Sequence, residues 1–306
     1  MRQIEFIVTE SFDGKKVYNF LRGYVKISTR LMRTLKRIPD GIMLGDKQGR
    51  TIDVIHAGDV ITLNIPDDET VPIPIEYPLD IVFEDDDVMV INKPPTLAMH
   101  ESHNHQGDTL ANAVAGYLLK KGKSATFRAV GRLDKGTSGL VICALNAHSA
   151  ARLAGRFDKE YLAIVNGVYK EGGTIDKPIY RPDPIKTYRT IDERGDYAVT
   201  HYEPEEVGEN YTVVRVRLET GRTHQIRVHF ASMGTPLYGD TMYGEVDERL
   251  SHQALHCARL KFTHPITDEV IECEAEMPED MKKLLDELRE QSARFVLLFG
   301  AGKSNA

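Results

Sequence analysis

The chain has 306 residues, 41% hydrophobic, 28% charged and 8% aromatic, which excludes wholesale disorder and collagen-like or disulfide-scaffold classes. Its 39 basic and 46 acidic residues give a net charge of −7, which argues against a generic nucleic-acid coat. No apolar run reaches bilayer-crossing length, and Met1–Glu10 has no basic flank before an apolar core, so neither a membrane span nor a signal peptide is expected. Cys143, Cys257 and Cys273 have no paired spacing, which points to a reducing, cytoplasmic setting.

The charge is unevenly spread. Residues 1–75 hold 11 basic and 10 acidic side chains, net +1, although the whole chain is acidic. Between Lys15 and Arg37 there are eight basic residues and no acidic one. Ser28 reads as an N-cap for a helix over Thr29–Arg37. On it, Arg30, Arg33 and Arg37 share one face and Leu31, Leu35 and Ile38 another. Pro39-Asp40-Gly41 ends it, and Gly41–Gly45 and Val60–Asn64 read as strands. A lone basic helix face is usually just solvated.

Pro66 to Pro78 is acidic, then proline-spaced, and reads as a linker. It divides an N-terminal module and linker, 1–75, from a second domain, 76–306. Beyond it, strands are expected at Val88–Asn92, Leu140–Leu145, Tyr161–Val165, Tyr211–Leu218, Gln253–Phe262 and Val270–Ala275. Helices are expected at Thr109–Lys120, Ala147–Phe157, Thr223–Met233 and Glu279–Gln291. This order lacks regular βαβ alternation, so the fold class is α+β with a mixed, largely antiparallel sheet and flanking helices, preceded by a small α/β module. Gly300–Ala306 reads as a frayed tail.

Three segments carry the chemistry. Gly131-Arg-Leu-Asp-Lys-Gly-Thr-Ser-Gly-Leu140, Lys159-Glu-Tyr-Leu-Ala163 and Leu218-Glu-Thr-Gly-Arg-Thr-His-Gln-Ile-Arg-Val-His229 resemble, in order, the three motifs of the RluA-type RNA pseudouridine synthases. Phe83–Pro94 is similar to the family's entry strand and Pro236–Gly244 to its late loop, so the resemblance spans roughly 79–275. Residues 15–65 resemble more loosely an S-four type RNA-binding module, which turns the basic face of Arg30, Arg33 and Arg37 into a candidate RNA contact. The resemblance implies a pseudouridine-synthase-like fold and an isomerase that converts uridine to pseudouridine in structured RNA. Ribosomal RNA is favoured and transfer RNA stays open. It implies no metal and no nucleotide cofactor. A monomer is expected, since no coiled coil or exposed apolar stripe is visible.

The chemistry asks for a carboxylate as nucleophile or base. The resemblance makes Asp134 that group; attack on the base, attack on the sugar and removal of the C2′ proton all remain open. An aspartate beside glycine and threonine would otherwise more often cap a turn. In a site that excludes water, desolvation raises a carboxylate's pKa, so a neighbouring cation is needed. The resemblance implies that Arg222 supplies it and that Tyr161 stacks on the uracil. Arg132 is a candidate for phosphate contact or for the space left by a flipped nucleotide. Lys159 and Arg227 are second-rank candidates for lining the site or holding backbone. Gly131 departs from the histidine common in this branch, and a glycine is more typical of the related RsuA branch; the departure bears on substrate, not on the reaction.

Other signals weigh less. His100, His103, His105 and Asp108 have metal-ligand types but lack a matching downstream pair, so a polar loop is expected. Gly302-Lys303-Ser304 has no phosphate-loop context, and Gly136-Thr-Ser-Gly139 is not a nucleophile elbow. Two rivals remain: a glycosidase, which needs a second carboxylate at suitable spacing, and a non-catalytic RNA-binding or assembly protein with a relict site.

Overall fold

The computed structural model describes residues 1–68, 71–101, 106–123 and 127–299, with the backbone alone beyond 293; the expected tail at 300–306 lies outside the described residues. The first elements are β1 (Arg2–Ile7), α1 (Val17–Gly23), α2 (Thr29–Leu35), β2 (Ile42–Leu44), β3 (Lys47–Gln48) and β4 (Val60–Ile65). Their strands lie in the order β1-β4-β2-β3. Ile61, Leu63 and Ile65 alternate onto one face of β4 and pack with Phe20, Leu21, Leu31 and Leu35 in a core separate from the rest. The Ser28 hydroxyl accepts the Leu31 N–H at 3.1 Å and starts α2. That helix buries Leu31, Met32 and Leu35 and leaves Arg30 and Arg33 exposed, as is Arg37 beyond its end. It stops two residues before Arg37, whose N–H bonds Thr34 O (3.0 Å) in a tighter turn ahead of Pro39.

The remainder comprises β5 (Asp80–Glu84), β6 (Val88–Lys93), α3 (Leu110–Lys120), β7 (Arg128–Val130), β8 (Ser138–Ala144), α4 (Ala147–Leu153), β9 (Phe157–Val165) and β10 (Gly173–Asp176). It continues with β11 (Ile179–Tyr180), β12 (Thr190–Ile191), β13 (Val199–Val207), β14 (Thr212–Leu218), α5 (Gln225–Ser232), β15 (Leu255–Thr263), β16 (Val270–Glu274) and α6 (Glu279–Phe299). A ten-stranded sheet runs β10-β13-β14-β9-β15-β8-β6-β5, with β16 on β15 and β7 on β8. All its pairs are antiparallel except β15 with β8. The mixed, mostly antiparallel α+β architecture is therefore as the sequence suggests.

β8 is buried along its whole length, and at Gly139 (φ +105°) an added Cβ would lie 2.3 Å from the Cys257 carbonyl oxygen. Only glycine lets β15 approach β8 this closely, and the approach places the loop before β8 beside β9. Two expectations need correction. The helix expected over Ala147–Phe157 ends at Leu153, since Phe157 already pairs with Phe262 in β9. The helix expected from Thr223 starts at Gln225, because His224 takes a left-handed conformation (φ 59°).

A buried polar joint connects the two sheets. Arg2 reaches Asp87 through Nε (3.1 Å) and Nη2 (2.7 Å), and Asn146 Nδ2 donates to the same carboxylate at 2.7 Å. His148 sits beside it, 1% exposed, edge-on to Phe6, with no hydrogen-bond partner at Nδ1. Burial, helped by Arg152, pushes the His148 pKa down to about 4. In the unfolded chain this histidine titrates at about 6.5, so folding stability is intact above that pH and falls between there and about pH 4, by roughly 3 kcal/mol. Denaturant unfolding followed through that window should show the loss, and His148→Leu should flatten it; an unchanged profile in the variant would exclude His148 as its source.

Candidate active site

The loop between β7 and β8 carries Arg132, Leu133 and Asp134. Gly136 N–H bonds Pro95 O (3.0 Å), and Gln253 Nε2 donates to Lys135 O and Thr137 Oγ1, both at 2.9 Å, so the loop is pinned on two sides. Lys159 Nζ pins it a third time by donating to Gly131 O at 2.8 Å. Lys159 is thus engaged with the protein's own loop.

Gly131 explains its own presence. It has φ +74°, and an added Cβ would lie 2.5 Å from the Phe157 ring. Histidine there would be strained and would collide with Phe157. Gly131→Ala is expected to cost about 2–3 kcal/mol in denaturant unfolding and to lower turnover by displacing Asp134. Wild-type stability in that variant would show that the ring gives way freely.

Asp134 faces a cleft of about 90 Å³ lined by Arg132, Leu133, Tyr161, Arg222, His224 and Arg227 among others. A larger cleft of about 460 Å³ covers Glu160, Leu162, Arg215 and Arg217, which alternate away from Tyr161 on the other sheet face. There Arg215 and Arg217 are already paired with Glu160, at 3.1 and 2.8 Å, and the cleft holds no comparable constellation.

The cation beside Asp134 is Arg227. Its Nη1 lies 3.4 Å from Asp134 Oδ2, while Nε (2.7 Å) and Nη2 (2.8 Å) grip Asp240 in a fork. Asp240 is 1% exposed and Arg227 6%, so the guanidinium is locked before any ligand arrives. Burial alone would lower its pKa, but Asp240 and Asp134 together hold it above the ordinary value. The expected Asp134–Arg222 pair is not formed. Arg222 Nε donates to Tyr197 O (2.9 Å), its Nη1 lies 3.8 Å from Asp196, and the side chain is exposed at the cleft mouth. The left-handed turn at His224 separates the two: Arg222 precedes it, and Arg227 follows on the inward face of α5.

Tyr161, 7% exposed, projects from β9 into the cleft. Burial, with Asp134 nearby, raises its pKa well above the usual phenol value, so it presents a neutral ring rather than a phenolate. His224 Nε2 lies 3.9 Å from Asp134 Oδ2, and its Nδ1 is 2.8 Å from the Tyr243 hydroxyl. Burial lowers the His224 pKa, leaving a neutral imidazole at pH 7. The Tyr243 oxygen accepts the Arg189 N–H (2.9 Å), so its own proton is free for His224 Nδ1, which leaves the imidazole proton on the nitrogen facing Asp134.

These features meet the requirement for a carboxylate held beside a pre-organised cation, and relatives decide the chemistry. Residues 87–232 match the family model described as RNA pseudouridylate synthase. The chain is 36% identical, over 92% of its length and 96% of the relative's, to the uncharacterized RNA pseudouridine synthase YhcT of Bacillus subtilis. It is 39% identical, over 78% of its length and 80% of the relative's, to ribosomal large subunit pseudouridine synthase D of Vibrio cholerae. The chain belongs to the RluA-type RNA pseudouridine synthases. Among solved structures, human RNA pseudouridylate synthase domain containing 1 superposes with a TM-score of 0.53 at 27% identity, covering 69% of this chain and 95% of that one.

As a pseudouridine synthase, the chain catalyses an isomerisation of uridine in RNA: the C1′–N1 bond breaks, a C1′–C5 bond forms, the C5 proton leaves and N1 gains one. The glycosidase alternative needs a second free acid. Asp240, which shares Arg227 with Asp134, is clamped by it and buried. One residue here escaped sequence reasoning. Lys93, 0% exposed, donates to Pro94 O and Leu97 O at 2.9 Å each. Burial pushes its pKa down to about 7 against the pull of Asp134. Its only sequence signal was a place at the end of the entry strand. Of the histidine cluster, His103 and His105 lie outside the described residues; among the described residues no group of three or more metal-ligating side chains occurs.

Proposed function

We propose that the chain isomerises uridine in ribosomal RNA, with Asp134 as the catalytic carboxylate, Arg227 as its ion-pair partner and Tyr161 as the ring beneath the uracil. The observation that carries this reading is the buried Arg227 fork, which aims one guanidinium nitrogen at Asp134 within a cleft floored by Tyr161. The fork holds a positive charge beside Asp134 without the movement of any side chain. Arg222 and Arg132, exposed at the rim, serve the phosphates on either side of the target nucleotide, and the neutral Tyr161 ring takes the flipped base. The name of the Vibrio cholerae relative favours ribosomal over transfer RNA.

Residues 1–75 act, in this reading, as an S-four type RNA-binding module with its linker, and 76–306 as the catalytic domain of a cytoplasmic, monomeric enzyme. The supporting feature is the row of Arg30, Arg33 and Arg37, all exposed and, among the described residues, without ion-pair partners. Neutralising the three together is expected to make the salt dependence of RNA binding shallower by about two to three log units per log unit of salt. Unchanged affinity and slope would remove the module from RNA recognition. Unmodified ribosomal and transfer RNA offered in competition, with pseudouridines mapped by carbodiimide-blocked primer extension, test the substrate. New stops confined to transfer RNA would overturn the ribosomal assignment.

A further inference from the structure

Among the described residues, three that are not glycine take a left-handed backbone, and of these only His224 (φ 59°, ψ 19°) lines the cleft. That conformation is unfavourable for a residue with a Cβ and persists only where its surroundings impose it. Here they do, through the buried neighbour Gln225. Its Oε1 accepts from Thr220 Oγ1 (2.8 Å) and the Arg222 N–H (3.0 Å), and its Nε2 donates to Val199 O (2.8 Å) and Thr200 Oγ1 (3.0 Å). On the other side, the Val228 N–H closes on the His224 carbonyl at 2.9 Å as α5 begins. The strained turn points the imidazole inward, with 10% of the side chain accessible.

The two ring nitrogens face different partners. Nδ1 lies 2.8 Å from the Tyr243 hydroxyl, and Tyr243 is itself fixed on several sides. Its ring stands edge-on to the imidazole with centroids 5.6 Å apart, the Arg227 guanidinium lies 5.1 Å from its centroid, and its N–H bonds Asp240 Oδ1 at 3.2 Å. Asp240 therefore holds both groups that approach Asp134: Arg227 directly, and His224 by way of Tyr243. Both approaches fall on the same carboxylate oxygen, Oδ2, at 3.4 Å from Arg227 Nη1 and 3.9 Å from His224 Nε2. The second distance is beyond a hydrogen bond, and with the imidazole held at Nδ1 a displacement of Asp134 by roughly 1 Å closes it.

We propose that His224 is a positioning residue for the isomerisation: its Nε2–H and Arg227 together hold Asp134 by Oδ2 and leave Oδ1 for the reaction. The proposal rests on the reading of the cleft as an RNA uridine isomerase. It gives the strained turn a purpose, since an imidazole on an ordinary helical start would not be aimed at the carboxylate. It also gives Tyr243 one, because a hydroxyl donating to Nδ1 is what keeps the imidazole proton on Nε2.

The test measures kcat and KM by tritium release from unmodified ribosomal RNA labelled at uracil C5, for wild type, His224→Asn, His224→Gln and Tyr243→Phe. Asparagine tolerates the left-handed backbone but is too short to bring a donor to Asp134, so kcat should fall about 100-fold with KM within about twofold of wild type. Glutamine, whose amide nitrogen stands in for Nε2, should restore kcat to within about tenfold of wild type. Long-range nitrogen–proton spectra of the histidine-labelled protein give the tautomer, with the His224 signals identified by their loss in the Asn variant. Wild type should show the Nε2–H form and Tyr243→Phe a mixture of both. With wild type active, any of three results would overturn the proposal and leave the isomerase reading standing: wild-type kcat in the Asn variant, an Nδ1–H tautomer in wild type, or equal losses in folded Asn and Gln variants. Binding of the RNA by wild type without release would instead sink the isomerase reading, and this proposal with it.

Discussion

With asparagine in place of Asp134, turnover is expected to fall by about four orders of magnitude while the fold and RNA binding survive. Asn fills the same volume and keeps an acceptor, but it can neither attack nor take a proton. The structural cost is small because Asp134 is partly exposed, with 26% of its side chain accessible, and its 3.4 Å contact to Arg227 is long. Arg227 keeps its two short bonds to Asp240, so no buried charge is stranded. Denaturant midpoints of variant and wild type should agree to within about 1 kcal/mol of stability. A variant that folds, binds and still isomerises would transfer the catalytic role to another group.

Arg227→Met is the second large effect, and it strikes stability and activity together. It leaves Asp240, 1% exposed, as an uncompensated buried charge, at a cost of about 3–5 kcal/mol. It also removes the cation that lies 3.4 Å from Asp134. Pairing Arg227→Met with Asp240→Asn should recover much of the stability, because the stranded charge is gone and the amide oxygen still accepts the N–H groups of Met242 and Tyr243. The pair should remain inactive. Unfolding curves and single-turnover assays on the two variants decide it: recovery of activity along with stability would make Arg227 a purely structural residue.

Much of this was legible in the sequence, and the exceptions share a physical cause. Ser28, Arg30 and Arg33 follow from one cap and one helical period, both local, whereas the helix ends short of Arg37. The three motif segments located the cleft, because Asp134, Tyr161 and Arg227 lie on elements that the sheet order brings together. The choice between Arg222 and Arg227 was beyond reach, since it depends on the φ of +59° at His224, a residue type that seldom adopts it. Strand β13 was missed because Pro204 and three glutamates spoil its alternation; the structure absorbs the proline at a register shift between Pro204 and Glu206. Lys93 was unreadable because lysine normally signals surface, and its burial depends on two carbonyls of the following turn.

The most direct measurement is tritium release from RNA labelled at uracil C5. Wild type and Asp134→Asn would be run side by side on pooled unmodified ribosomal RNA, with a chelator present. Release by wild type to a plateau, and none by the variant, is the predicted result, because forming the C1′–C5 bond must free the C5 hydrogen. Binding of that RNA by wild type with no release would contradict the account and leave an RNA-binding protein with an idle site.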